Sequence, residues 1–335
     1  MNPSRLQHLL ESARTCRILV IGDVMLDEFV WGRVSRISPE APVPVVEVQE
    51  ESSYPGGAAN VARNLRPFCA GVPLCGAVGV DPFAEKLRRL LAAEHIETGA
   101  LVPFEGSPTI VKTRIIARQQ QVVRVDREKN RGPVAEVTAR ACALAASLMP
   151  AVDGVILEDY GKGLICQDLK DEICRLARAH QKFLTADPNP GNPLDWSGVD
   201  LLKPNRSEAF AMAGRKDPGA ADDPLNDTAL LEVGKFLVEK WSLQGLLITL
   251  GEHGMILFER GADPYHTPTR AREVFDVSGA GDTAIALYTL AVCAGATARE
   301  AAEISNHASG VVVAKLGTAT LEADELVASF DLDAR

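Results

Sequence analysis

The chain has 335 residues, of which 46% are hydrophobic, so it can bury a large core in one or two domains. Its 35 lysines and arginines and 45 aspartates and glutamates give a net charge of −10, which argues against a nucleic-acid partner because phosphate backbones need a basic surface. No apolar run approaches the roughly 20 residues of a membrane span, and the first residues lack the pattern of a signal peptide. The seven cysteines are odd in number and form no C-x-x-C pair, so we expect buried reduced thiols in a cytoplasmic protein and no metal cluster.

Short apolar runs predict buried parallel strands, and amphipathic patterns between most of them predict helices. The predicted strands cover residues 18–21, 154–157, 183–186, 201–202 and 246–250. The predicted helices cover residues 136–149, 168–180, 228–241, 282–293 and 299–315. This alternation predicts an α/β fold with a largely parallel sheet, in which ligands bind at the carboxyl ends of the strands.

Two β-rich segments interrupt the alternation of strands and helices. Residues 43–48 (VPVVEV) and 109–126 alternate apolar with polar or charged side chains, as a half-exposed antiparallel sheet would. We interpret them as a small β flap that either covers a site as a lid or pairs with a second copy, because its edges need covering. We expect a single domain of residues 1–335 with lid segments at about 28–52 and 107–127.

Two motifs near the amino end offer groups for a polyhydroxylated ligand. In GDVMLD, Asp23 and Asp27 follow the first predicted strand, and paired carboxylates there suit sugar hydroxyls, although two solvated loop acids would show the same pattern. In PGGAANVARNL, Gly56 and Gly57 allow the backbone to approach a ligand, and Asn60 offers an amide to hydroxyls. A helix that merely needs a flexible entry is the alternative for the second motif.

Three motifs from residue 159 onward suit phosphate, metal and nucleotide. Lys162 of DYGKG lies on a predicted loop as a point charge for phosphate, unless it is an ordinary solvated lysine. In KPNRSEA, Asn205 and Glu208 share one helix face, where Glu208 could hold Mg²⁺ through water while Asn205 meets phosphate. A capping box explains the same pair, and both roles are compatible. The TLGEHG motif ends a predicted strand in a turn suited to nucleotide contact.

The motif DVSGAGD carries the strongest chemical signal. A predicted strand ends near Phe275, and Gly279, Ala280 and Gly281 then open a helix whose first amides point outward at the positive end of its dipole. This arrangement predicts an anion hole. Asp282 lies in the first helical turn, where a carboxylate suits a general base that takes a hydroxyl proton during phosphoryl transfer. The alternative is an aspartate that only stabilises the helix dipole.

Together, DVSGAGD, GGAAN, KPNRSEA and TLGEHG resemble the ribokinase-like sugar kinases, also called the phosphofructokinase B (PfkB) type, over about residues 17–316. Within that family, SRISPEAPVPV, RQQQVVRVDRE and DYGKGL are similar to the kinases of D-glycero-β-D-manno-heptose 7-phosphate. The resemblance implies a three-layer α/β/α fold and ATP-dependent phosphorylation of the anomeric hydroxyl on the route to ADP-heptose for lipopolysaccharide. It implies ATP and Mg²⁺ as cofactors, leaves a monovalent cation open, and implies a homodimer formed through the β lid. The H-x-G-H signature is absent, which predicts a separate nucleotidyltransferase.

The resemblance also implies a role for each matching residue. The base is Asp282, and the anion hole comprises Gly279, Ala280 and Gly281. Residues implied to hold the sugar are Asp23, Asp27, Gly56, Gly57 and Asn60. Residues implied to serve Mg-ATP are Asn205, Glu208, Thr249, Gly251, Gly254 and Asn306, with Glu208 as the metal ligand and Asn306 at the adenine pocket.

A substrate that already carries a phosphate needs a basic recess, for which the candidates are Lys162, Arg118, Arg124 and Arg36. One departure from the heptose kinases concerns the donor. Asn189 stands where they tend to have lysine, which leaves the nucleotide preference open.

Three rival functions differ in their sequence requirements. Another ribokinase-like kinase, acting on ribose, a hexose or a nucleoside, would share the phosphate-site motifs and differ in the sugar loops. A nucleotide-binding dehydrogenase would need G-x-G-x-x-G after the first strand, where this chain has GDVMLD. A catalytically silent sugar sensor would not need the intact Asp282 and its two glycines.

Overall fold

The computed structural model describes residues 1–118, 120–129, 134–271, 273–315 and 317–333. Gln119 of the predicted flap and Leu316 at the end of the family resemblance lie outside the described residues. The described strands are β1 (Ile18–Gly22), β2 (Val24–Ile37), β3 (Pro44–Gly57), β4 (Pro73–Val78), β5 (Glu97–Pro103), β6 (Ile110–Ala117), β7 (Gln120–Arg127), β8 (Gly154–Glu158), β9 (Phe183–Asp187), β10 (Leu201–Leu202), β11 (Gly245–Thr249), β12 (Met255–Glu259) and β13 (Tyr265–Thr267).

The described α-helices are α1 (Pro3–Ala13), α2 (Ala58–Leu65), α3 (Pro82–Ala93), α4 (Ala135–Leu148), α5 (Gln167–Ala179), α6 (Arg206–Met212), α7 (Thr228–Lys240), α8 (Ala280–Cys293), α9 (Ala298–Val312) and α10 (Ala323–Asp333). The five helices predicted from the sequence correspond to α4, α5, α7, α8 and α9, and their ends agree within three residues. None of the described helices combines the length and apolar character needed to cross a bilayer. All seven cysteines are free thiols.

A nine-stranded sheet in the order β13-β12-β11-β10-β9-β8-β1-β4-β5 forms the centre of the molecule. Its strands from β11 to β5 are parallel, and only β12 and β13 add to the β11 edge in antiparallel fashion. The five predicted strands are confirmed as β1, β8, β9, β10 and β11. The sequence interpretation missed β4, β5 and the antiparallel edge.

Helices cover both faces of this sheet, which gives the predicted three layers. Alternate residues of β1 show the division, because Ile18 and Val20 belong to the apolar core with α1, α2, α8 and α9. Leu19 and Ile21 face the core with α4, α5 and α7. The carboxyl ends of the central strands remain uncovered by these layers, and they carry the site.

The predicted flap is a four-stranded second sheet in the order β3-β2-β6-β7. The expectation of a wholly antiparallel sheet is wrong, because β2 and β6 are parallel. The reason is the connection between them, since β3, α2, β4, α3 and β5 intervene and return the chain in the same direction. The strands β2 and β3 also reach into the main domain, ending at Val24 and Gly57 beside the end of β1.

The strand predicted to end near Phe275 does not form. Residues 273–278 lie outside the sheets, and the amides of Phe275 and Asp276 both approach the carbonyl of Val313, at 2.8 and 3.2 Å. Because this segment packs on the end of α9 and not along a sheet edge, Val274, Phe275 and Val277 are exposed. The apolar run thus forms a wall beside the opening of α8.

Candidate active site

Asp282 lies in the first turn of α8, at the junction of the two sheets. Its Oδ2 accepts a hydrogen bond of 2.7 Å from the Asn60 amide, and its Oδ1 accepts one of 2.8 Å from the Tyr160 hydroxyl. Burial raises the pKa of Asp282 to about 6, and the nearby Asp187 adds to the rise, while the two hydrogen bonds and Lys203 oppose it. A carboxylate with such a pKa accepts a proton near neutral pH far more readily than an exposed aspartate.

The start of α8 is built around Gly279. This residue caps the helix in the left-handed conformation with φ of 82°, which favours glycine. A Cβ there would lie 2.8 Å from the amide nitrogen of Asn60, the same amide that holds Asp282. Glycine is therefore required both by the turn and by the close approach of α2. The Ala280 amide donates to the carbonyl of Val277 at 3.3 Å, whereas the amides of Gly281 and Asp282 have no hydrogen-bond partner among the described residues and, with the dipole, form a site for an anion.

Three charged residues lie below this helix start, each at the carboxyl end of a neighbouring parallel strand. Glu158 ends β8, Asp187 ends β9 and pairs with Glu158 in register, and Lys203 follows β10. Lys203 Nζ lies 2.7 Å from Asp187 Oδ2. Carboxylate oxygens of Glu158, Asp187 and Asp282 lie within 4.8 Å of one another, so three acids share one buried lysine.

The shortage of positive charge changes the protonation of these groups. Burial raises the pKa of Glu158 well above its ordinary value, and Asp187 and Asp282 add to the shift. Burial also raises the pKa of Asp187, although Lys203 and a hydrogen bond from Glu158 oppose this. Burial alone would lower the pKa of Lys203, but Asp187 and Glu158 raise it, so the lysine remains charged. Burial and the two neighbouring acids thus shift the Glu158 carboxyl toward its neutral form.

A cavity of about 1030 Å³ opens from Asp282 along the carboxyl ends of the strands from β8 to β11 and the amino end of β12. It brings together every residue predicted for catalysis or nucleotide binding. These lining residues are Asn205, Glu208, Thr249, Gly251, Gly254, Gly279, Ala280, Gly281, Asp282 and Asn306. Asn189, at the departure from the heptose kinases, also lines this cavity.

Asn205 and Glu208 form the capping box of α6. The Glu208 amide donates to Asn205 Oδ1 at 3.0 Å, and the Asn205 amide donates to Glu208 Oε2 at 2.7 Å. Burial raises the pKa of Glu208. Asn306 likewise has a structural bond, because its amide donates to the carbonyl of Pro268 at 2.6 Å and holds the loop after β13.

Asp23 organises a loop through its carboxylate. The two oxygens accept the backbone amides of Tyr160 at 3.1 Å, Lys162 at 2.9 Å and Leu164 at 3.2 Å. Burial raises the pKa of Asp23, and these three amide bonds oppose the rise. The loop that carries Tyr160 to Asp282 is thus fixed in place by the acid that follows β1.

Asp27 lies on β2 and forms an ion pair with Arg114 of β6. The space beside Gly56 is filled by the Asp27 carboxylate, with which an added Cβ would overlap. Gly57 caps α2, directly before the helix that carries Asn60. These predicted sugar residues therefore lie together around the junction of the second sheet with the central sheet.

The four predicted basic residues are not brought together. Lys162 Nζ pairs with Glu128 at 2.9 Å, and Arg124 pairs with Asp126 at 2.7 Å, both on the side facing Asp27. Arg118 lies at the exposed tip of the β6–β7 hairpin. Arg36 lies near the exposed end of β2. At about 3.3 Å per residue, Arg118 and Arg36 are roughly 25 to 40 Å along the strands from Ile110 and Val24, where β6 and β2 begin.

The sequence interpretation missed Glu158, Tyr160, Asp187 and Lys203, and it missed Lys112, whose ammonium group lies 5.7 Å from the centre of the Tyr160 ring. The first four follow or end predicted strands, so the rule that ligands gather at strand ends contained the signal. Lys112 is different, because it lies in the interior of β6 and the amino-acid pattern of that strand does not indicate which face meets the site.

Comparison with known proteins agrees with this architecture. Residues 16–325 match the family described as pfkB family carbohydrate kinase. The chain belongs to this family, whose members are kinases that transfer a phosphoryl group to an alcohol group of a sugar.

More particular similarities are to proteins named "Bifunctional protein HldE". The protein of Desulfatibacillum aliphaticivorans is 40% identical over 94% of this chain and 63% of its own length. That of Edwardsiella ictaluri is 41% identical over 95% of this chain and 64% of its own length. The chain thus spans less than two thirds of these relatives.

Two solved structures share the fold at low sequence identity. Phosphofructokinase-2 from Escherichia coli, in complex with potassium, is 17% identical with a TM-score of 0.76 and coverage of 96% of this chain and all of that one. Ribokinase from Arabidopsis thaliana, complexed with ribose and ATP, is 14% identical with a TM-score of 0.71 and coverage of 94% and 98%.

Proposed function

We propose that this protein transfers the γ-phosphoryl group of ATP to the anomeric hydroxyl of D-glycero-β-D-manno-heptose 7-phosphate, giving the 1,7-bisphosphate. The observation that carries the proposal is the position of Asp282. Asp282 lines the cavity that holds the predicted nucleotide residues, and it is bonded to Asn60, which follows the predicted sugar residues Gly56 and Gly57. The heptose is supported by the segments similar to heptose 7-phosphate kinases and by the relatives of about 40% identity.

In this mechanism the oxygen of the sugar hydroxyl bonds to the γ-phosphorus while Asp282 accepts the hydroxyl proton. ADP leaves with the electrons of the broken P–O bond. The helix start at Gly279, Ala280 and Gly281 stabilises the negative charge on the transferring group through the unbonded amide of Gly281 and the helix dipole. Tyr160 and Asn60 orient the Asp282 carboxylate through their hydrogen bonds. Transfer to sugar and not to water requires a closed cleft, for which we propose the second sheet as lid.

The described residues fit the Mg²⁺ that accompanies ATP. Carboxylates are the hard oxygen donors that Mg²⁺ prefers, and the cluster of Glu158, Asp187 and Asp282 supplies them beside the cavity. Glu158 Oε2 is buried without a hydrogen-bond partner among the described residues, which suits a water of a hydrated cation. We propose that Asp187 binds the ion directly and that Glu208 binds it through a water molecule. The ion would neutralise negative charge on the phosphates.

The second sheet also supplies the surface for a proposed homodimer. Val122, Val123 and Val125 of β7 and Val48 of β3 are exposed along both of its edge strands. Such edges and apolar side chains are stabilised when a second copy covers them.

We further propose one kinase domain in a cytoplasmic enzyme, consistent with its free thiols, and a separate nucleotidyltransferase that uses the product.

The test is the rate of ADP release from Mg-ATP with the heptose 7-phosphate, ribose, fructose 6-phosphate and adenosine. We expect kcat/KM for the heptose 7-phosphate to exceed the others by more than about tenfold. The Asp282→Asn variant should bind ATP normally and lose about a thousandfold in kcat. Preference for another sugar would overturn the substrate, and near-parental turnover of Asp282→Asn would overturn the assignment of the base.

A further inference from the structure

The second sheet presents a charged face to the loop of Tyr160. We define the charged face as Asp27, Lys112, Arg114, Arg124 and Asp126 together with the adjoining Glu128 and Lys162. Lys112 of β6 is in register with Asp27 of β2 on one side and with Asp126 of β7 on the other. Residues in register on neighbouring strands point to the same side of a sheet, so these charges lie together.

Every carboxylate of the charged face already has a cation of its own. Asp27 pairs with Arg114. Asp126 pairs with Arg124 at 2.7 Å, and Glu128 pairs with Lys162 at 2.9 Å. The four cations and three carboxylates therefore leave one positive charge in excess, on a chain whose net charge is −10.

The excess charge belongs to Lys112. Among the described residues, no carboxylate oxygen lies within 4.0 Å of its ammonium group, which sits 5.7 Å from the centre of the Tyr160 ring. The side chain is half-buried, and this burial lowers the pKa of Lys112, with the Lys162 ammonium adding to the effect and Asp27 opposing it. A partly desolvated ammonium group without a carboxylate is stabilised by an anion that enters from the cleft.

We propose that Lys112 binds the phosphate group carried by the sugar acceptor, with Lys162 beside it as the second cation. The inference rests on the proposed function and adds the residue that selects a phosphorylated sugar. Tyr160 lies between the two ends of the site, because Lys112 covers its ring and its hydroxyl bonds to Asp282. A seven-carbon sugar with a terminal phosphate spans on the order of 10 Å at about 1.5 Å per bond, which matches an aromatic ring plus one contact at each end.

Kinetics on phosphorylated and unphosphorylated sugars test this assignment. In Lys112→Met, KM for heptose 7-phosphate should rise about 10- to 100-fold, the size of a lost charge-assisted hydrogen bond, while kcat and KM for ATP stay within about threefold. With the unphosphorylated heptose the same variant should match the parent, and Lys112→Arg should recover much of the lost affinity. The control is Lys235→Met, which removes an equal charge from the exposed face of α7. An unchanged KM for the sugar phosphate in Lys112→Met would overturn the inference.

Chemical labelling tests the anion site without any turnover. The parent protein is acetylated with a limiting reagent, and modification of Lys112 and Lys235 is followed by mass spectrometry with and without inorganic phosphate or heptose 7-phosphate. We expect either anion to slow acetylation of Lys112 several-fold and leave Lys235 unchanged. If Lys112 is protected but the protein phosphorylates only unphosphorylated sugars, the assignment of the anion site stands and the proposed substrate is wrong. Equal acetylation of Lys112 with and without the two anions would overturn its assignment to an anion site, whichever sugar the protein phosphorylates.

Discussion

Charged residues are paired in opposite ways on the two sides of the cleft. On the second sheet each carboxylate has its own cation, and the side chains are partly exposed, as for Arg124 and Asp126 at 49% and 28%. Below α8, the buried Glu158 and Asp282 and the half-buried Asp187 share Lys203. The first arrangement keeps charges fixed and leaves Lys112 for a ligand. The second arrangement raises carboxyl pKa values and so places a proton acceptor next to the anion site.

Removing a cation from each side should show the largest difference. We expect Lys203→Met to lower the free energy of unfolding by about 3 kcal/mol, because it leaves the half-buried Asp187 without its ion-pair partner. The matched change Arg124→Met breaks a largely exposed pair and should cost less than about 1 kcal/mol. Urea unfolding of both variants measures the difference. Equal losses of unfolding free energy in the two variants would show that the buried and the exposed ion pair contribute alike to stability.

A smaller effect is expected from the hydroxyl that joins the two sides. Tyr160→Phe removes the bond to Asp282 Oδ1, so kcat should fall about tenfold while KM for ATP stays unchanged. Because this bond favours the ionised carboxyl, its loss should also move the acid limb of the kcat profile to higher pH. Tyr288→Phe makes the same change further along α8, in the core, and serves as the control. An unmoved acid limb in Tyr160→Phe would show that the hydroxyl does not act on Asp282.

The five strands in the middle of the main sheet, β11, β10, β9, β8 and β1, were predictable because they are continuous apolar runs, and five helices were predictable because they are strongly periodic. Hydrophobic burial determines both patterns, and sequence periodicity reports burial directly. The missed edge strands β12 and β13 pair antiparallel, and the parallel pairing of β2 with β6 follows from contacts distant in sequence. At residues 273–278 a strand was predicted that does not form, because an apolar run that borders a cavity has the same sequence pattern as a buried strand.

Candidate site residues divide in a similar way. Asp282 and Gly279 were predictable because a helix start with small residues has a direct chemical meaning. The role of Asp23 was not, since its three bonds are to backbone amides of a loop more than 130 residues away. Lys112 can be recognised as a candidate anion-binding residue only from the structure, which shows that Asp27, Asp126 and Glu128 pair with other cations.

The most direct test of the account is the pH dependence of kcat in the parent enzyme at saturating substrates. Asp282 must be ionised to accept the hydroxyl proton, and burial raises its pKa to about 6. We therefore predict a plateau in kcat above that pH and a tenfold fall in kcat for each pH unit below it, as the carboxyl becomes protonated. A kcat that stays constant well below pH 5, in enzyme that remains folded, would contradict the role of Asp282 as the base.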